Sequence, residues 1–160
     1  MPVDSWNSNT EKKKQKNNWA IKVAKDLLDN SIKQSHPYMV KKGFPDFKVP
    51  VFTAGKIFPE LAKYDGCMLL PMRIGDKLVG CQTISDDGTK KFLYGQITKD
   101  AELVIDNKGR HIICEGYATA MSVRRALQAM NKKYTIHVCF SASNILEISK
   151  HHSNAMIVAD

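Results

Sequence analysis

The chain has 160 residues, enough for one domain or for a small α/β core with an extension. Its formal net charge of +8 favours acidic partners, nucleic acid first. No apolar segment is long enough for a membrane span and no signal-peptide h-region opens the chain, so the expectation is a cytoplasmic protein without a membrane partner. Cys67, Cys81, Cys114 and Cys139 are widely spaced, form no Cys-x-x-Cys pair, and have no histidine at zinc-ligand spacing. They read as buried thiols, and no structural zinc is expected.

Residues 1–18 are polar, with Lys12, Lys13, Lys14 and Lys16 crowded together. They predict a disordered basic tail or linker whose weak contact, if any, is to nucleic-acid phosphate. From Trp19 the pattern becomes Ala20, Ile21, Val23, Ala24, Leu27, Leu28 and Ile32, an amphipathic helix with lysines opposite. A short turn-helix element follows between Pro37 and Gly43. Within it His36 reads as a structural, hydrogen-bonding histidine. Ala54-Gly55-Lys56 lacks the glycine four residues earlier that a phosphate loop requires, and that reading is rejected.

Strand periodicity begins at Met68. The segments 68–72, 78–84 and 91–94 are separated by the turns Gly75-Asp76-Lys77 and Asp86-Asp87-Gly88-Thr89, which predicts an antiparallel meander. Residues 101–105 form a further short strand. Asp106-Asn107-Lys108-Gly109 then turns the chain into a buried strand at Ile112, Ile113 and Cys114. Glu115 stands at its carboxyl end and Gly116 allows a tight turn. Ala118, Thr119, Ala120 and Ser122 keep the following helix slim, which leaves room for a ligand. A helix over 117–130, a strand over 136–140, a helix over 144–151 and a last apolar run closed by Asp160 complete a β-α-β-α-β order. Right-handed crossovers would make these three strands parallel and bring Glu115 and Asp160 to one sheet edge. Two carboxylates there suit magnesium, which takes oxygen ligands and keeps waters or substrate phosphates. Alone, an isolated Glu-Gly pair more often caps a helix dipole. Tyr117 reads first as a packing residue. Arg124 and Arg125 divide evenly between solvation and phosphate contact, and His151 and His152 read as solvent-facing residues at a helix end.

The run from Glu115 to Val123, followed by a strand ending at Asp160, resembles the Toprim domain of plasmid- and phage-type DNA primases. That family places Glu-Gly after its first strand and Asp-x-Asp after its third, of which Asp160 supplies the first acid. Two further stretches resemble upstream elements of the same primases. One is His36-Pro37-Tyr38 with Lys41, Lys42 and Gly43; the other is Gln82, Ile84, Gly88, Lys90, Phe92 and Gly95. The resemblance implies an α/β, Rossmann-like parallel sheet flanked by helices, preceded by an N-terminal helix and meander over 19–109, with a C-terminally truncated Toprim part over 110–160. It implies a primase catalytic core that makes RNA primers on a single-stranded DNA template from nucleoside triphosphates. Glu115 and Asp160 would be catalytic and would ligate Mg2+ or Mn2+. Lys41, Lys42, Arg124 and Arg125 would contact nucleic acid or nucleotide, and a replicative helicase domain would be a partner. With one acid of the Asp-x-Asp pair present, the chain alone is expected to be nearly inactive. A Toprim nuclease and a non-catalytic nucleic-acid- or protein-binding module are the alternatives.

Overall fold

The computed structural model describes residues 2–159, with side-chain surroundings from Ser8 onward. The chain divides into two compact units, residues 1–98 and 99–160. This division falls about ten residues before the expected one at 109/110. The cause is the strand at Leu103–Asp106, which pairs into the second sheet.

In the first unit, helix α1 spans Pro2–Asp29 without a break. The expected tail is thus drawn into the helix, and Met1 lies outside the described residues. Lys, Glu and Gln are good helix formers, and Ser8 through Gln15 stand exposed without needing burial. Packing starts at Lys16, whose ammonium lies 5.5 Å from the centre of the Tyr94 ring. Ala20, Ala24 and Leu27, spaced i, i+4, i+7, then enter a core with Phe52, Leu61, Leu69, Cys81 and Leu93.

That core rests on five antiparallel strands in sequential order: β1 (Ser31–Gln34), β2 (Val49–Phe52), β3 (Met68–Ile74), β4 (Lys77–Ile84) and β5 (Lys90–Phe92). The expected meander is β3, β4 and β5. Helix α2 (Pro37–Lys41) and a 3-10 turn (Pro59–Tyr64) fill the connections. The Gly55 N–H donates to the Asp65 carboxylate at 2.8 Å, and a Cβ at Gly55 would strike that side chain at 2.0 Å. The stretch set aside as a phosphate loop is therefore already filled by a carboxylate.

The second unit is a mixed four-stranded sheet in the order β6-β8-β7-β9, with β6 (Leu103–Asp106), β7 (Arg110–Cys114), β8 (Tyr134–Val138) and β9 (Met156–Val158). Both β8 and β9 pair parallel with β7, and β6 is antiparallel to β8. The three predicted strands are parallel to one another, while the sheet as a whole is mixed. Helix α3 (Tyr117–Ala129) carries β7 to its neighbour on one side, and α4 (Ala142–Ser149) carries β8 back across β7 to β9. Right-handed crossovers in opposite directions put the two helices on opposite faces. The strand alternation agrees: Ile113 and Cys139 pack with Ile148 and Ile145 of α4, while Ile112, Cys114, Ile136 and Val138 are buried at the intervening positions.

Asn144, buried in α4, ties the unit together. Its amide accepts from the Asp100 N–H at 3.1 Å and donates to the carbonyls of Ala101 and Cys139 at 3.2 and 3.1 Å. Among the described residues no helix is long and apolar enough to cross a membrane. All four cysteines are buried thiols, and burial pushes Cys81 and Cys139 up to about 12, far from a reactive thiolate.

Candidate functional site

Three side-chain groups carry chemistry. The first is at the carboxyl end of β7. Because α3 leaves one face and α4 the other, the loops after β7 and β8 diverge there, and in open α/β sheets this switch point is where ligands bind. Glu115 occupies that position, half-buried. The parallel pairing continues past the strands: Cys139 N–H donates to the Cys114 carbonyl at 2.9 Å, and Phe140 N–H to the Glu115 carbonyl at 2.8 Å. Phe140 sits at φ 72°, a left-handed conformation that a bulky aromatic residue rarely adopts. Such strain costs on the order of 1–3 kcal/mol and gathers at functional sites. Gly116 N-caps α3 with no side-chain cap of its own.

Further along α3, burial pushes the Tyr117 hydroxyl up, opposed by the Arg124 guanidinium close by. Arg125 is exposed on the same helix. The register Cys114↔Val158 brings the chain after β9 level with Glu115. Asp160 itself lies outside the described residues.

The second group belongs to the first unit. His36 N-caps α2: its Nδ1 accepts from the Tyr38 N–H at 3.2 Å, so its Nε2–H donates to the Gly66 carbonyl at 3.0 Å, with Asp86 Oδ1 at 3.3 Å. A buried ring engaged at both nitrogens is structural, as the sequence suggested. Tyr38 lies flat beneath two ammonium groups, Lys42 at 5.5 Å and Lys90 at 5.4 Å from its ring centre. Lys41, Lys42, Lys90, Asp86 and Gly88 join it around a cavity of about 310 Å³. A Cβ on Gly88 would lie 3.7 Å from the Tyr38 ring, and the residue sits at φ +87°. Two motifs some fifty residues apart in sequence thus converge on one basic groove. Lys90 and Tyr38 belong to it, although the resemblance assigned contact with nucleic acid here only to Lys41 and Lys42.

The third group was not foreseen. His111 on β7, His137 on β8 and His152 after α4 form the one set of three metal-ligating side chains among the described residues, with one ligand atom from each all within 4.8 Å of one another. Glu102 accepts from His137 Nδ1–H at 3.2 Å, which leaves His137 Nε2 to accept from His111 Nδ1–H at 2.8 Å in the singly protonated ring. His152 stacks on His111 with ring centres 4.2 Å apart. This corrects the solvent-facing reading of His152: the turn after α4 folds it inward, while His151 stays exposed. Burial first, then the neighbouring His137 and His111 rings, hold His152 below the ordinary histidine value. The only trace in sequence is parity, since residues 111 and 137 fall on one sheet face once the register Ile113↔His137 is known.

No protein-family model, curated protein or solved structure matches the chain.

Proposed function

We propose that this chain is part of a DNA primase catalytic core with a Toprim-like second unit, a metal-dependent nucleotidyltransferase that joins ribonucleotides on single-stranded DNA. The observation that carries the reading is Glu115-Gly116 at the switch point of three mutually parallel strands, opposite the strained Phe140. Magnesium is commonly held through one or two carboxylates plus substrate phosphates. Glu115, accessible at a sheet edge beside a helix start, is of that kind, and Asp160 would be its companion. Bound there, the ion would neutralise triphosphate charge.

The chain's own residues have the remaining roles. Glu115 would hold or move the proton of the attacking 3′-hydroxyl where it does not ligate. Arg124 and Arg125, with the N-terminus of α3, would meet triphosphate oxygens. Lys41, Lys42 and Lys90 would track template phosphates, with the buried Tyr38 ring holding the Lys42 and Lys90 ammonium groups in place.

The groove around Tyr38 also stands complete within the first unit, which favours a nucleic-acid-binding module as the second reading. Incubation with single-stranded DNA, ribonucleoside triphosphates and magnesium separates the readings. Short RNA products that disappear in Glu115→Gln support primase, and DNA degradation points to nuclease. If neither occurs, magnesium-dependent triphosphate binding weakened by Glu115→Gln retains the nucleotide site. Its absence, beside salt-sensitive DNA binding lost in the Lys41→Glu, Lys42→Glu double variant, leaves the binding module alone.

A further inference from the structure

The three histidines grouped around His111 have no part in that chemistry. We infer that His111, His137 and His152 form a binding site for a zinc-type divalent metal ion, with Glu102 as the carboxylate that orients His137.

The donor chemistry comes first. Imidazole nitrogen suits zinc and its neighbours, whereas magnesium prefers oxygen, so this site and the Glu115 edge select different metals. Geometry comes next. Zinc holds imidazole nitrogen at about 2.0–2.1 Å, so two nitrogens on a tetrahedral ion stand roughly 3.3 Å apart. His111 Nδ1 and His137 Nε2 are 2.8 Å apart, and all three ligand atoms fall within 4.8 Å. Closing the widest separation by about 1.5 Å, from 4.8 Å to roughly 3.3 Å and shared between two side chains, brings them onto one ion. Loading exchanges the His111 Nδ1–H bond for a metal bond, and the proton of that ring moves to Nε2 or to solvent.

The support around the ligands is also present. Glu102 accepts from His137 Nδ1–H, which aims the Nε2 lone pair inward, the carboxylate–histidine–metal arrangement of established sites. His137 is nine-tenths buried and more, and Glu102 mostly so. The Asn144 bonds to Asp100 and Ala101 fix the chain immediately before Glu102. On the solvent side a cavity of about 320 Å³, lined by His111, His151, His152, Ser153, Asn154 and Ala155, gives an ion a way in and leaves a fourth position for water. The ligands come from β7, β8 and the connection between α4 and β9. An ion there ties the connection down and so holds β9 on β7. Local spacing concealed the site, because its ligands lie 26 and 15 residues apart, and the inference replaces the expectation that this chain carries no zinc.

The test uses the whole chain, stripped with chelator and free of any histidine tag, titrated with Zn2+ alone by calorimetry and with Co2+ alone by absorption. One Zn2+ per chain, a four-coordinate Co2+ spectrum displaced by Zn2+, and a higher melting temperature with Zn2+ are expected. His152→Ala, which alters a solvent-side ring and should leave the fold intact by circular dichroism, weakens Zn2+ binding at least tenfold. Glu102→Gln keeps all three ligands and weakens it by about 10–100-fold. His151→Ala, adjacent but outside the triad, changes it less than about twofold, and Mg2+ does not compete. Absence of stoichiometric Zn2+ binding overturns the inference and leaves a stacked, hydrogen-bonded histidine group. So does binding undiminished in His152→Ala, or diminished equally in His151→Ala.

Discussion

The two ends of β7 lie only four residues apart, about 13 Å at roughly 3.3 Å per residue, yet they are built in different ways. Glu115 follows the strand directly, and its position depends on the chain's own order: strand, acid, glycine, helix. His111 acquires its partners through pairing, one from the neighbouring strand and one from a turn that returns over the sheet. The carboxyl end is a local motif placed by topology, whereas the histidine end is a tertiary assembly whose members mean nothing singly. Damage to packing should therefore reach the two ends unequally.

The largest effect is expected where they share support. Ile113→Ala empties a fully buried position against Cys139 and Ile148 and should cost about 2–5 kcal/mol in urea unfolding. Both ends should loosen together, and a Glu115 edge unaffected by this change would show that the ends do not depend on β7 in common.

Asn144→Ala separates them. It strands the Asp100 N–H and the carbonyls of Ala101 and Cys139, a loss of about 1–3 kcal/mol. Because Ala101 leads directly into Glu102, hydrogen exchange should rise most along β6 and around His137. Ser141→Ala acts on the same helix start, three residues earlier. The hydroxyl caps α4 by accepting from the Asn144 N–H, and its removal should cost about 1 kcal/mol. Exchange should increase at the start of α4 beside the switch point while the His111 and His137 ring signals stay put.

The smallest effect concerns the basic groove. Asp87 is held down to about 2, first by the Ser85 hydroxyl and then by the Thr89 N–H. Its folded value lies below the ordinary 3.8, so its contribution is complete above that pH and is lost as pH falls through about 2. Carboxyl-carbon NMR should show Asp87 unchanged from pH 8 to pH 5. Ser85→Ala should move its midpoint upward.

By itself the sequence determined what depends on neighbours along the chain. Short apolar runs between helical stretches marked β7, β8 and β9, and turn residues marked the meander. The spacing of Ala20, Ala24 and Leu27 marked the buried stripe of α1, and Glu115 could be picked out because a strand followed by acid and glycine is a contiguous signal. Tertiary structure decided the rest. Lysine-rich turns before Trp19 carried no stripe, so only the seat of Lys16 on Tyr94 showed where α1 begins to pack. Antiparallel pairing with β8 assigned residues 103–106 to the second unit and made its sheet mixed. Tyr38 met Lys90, and three histidines met one another, only after strand register was set. Register is fixed by which faces must be buried along whole strands, and no local window of residues contains that information.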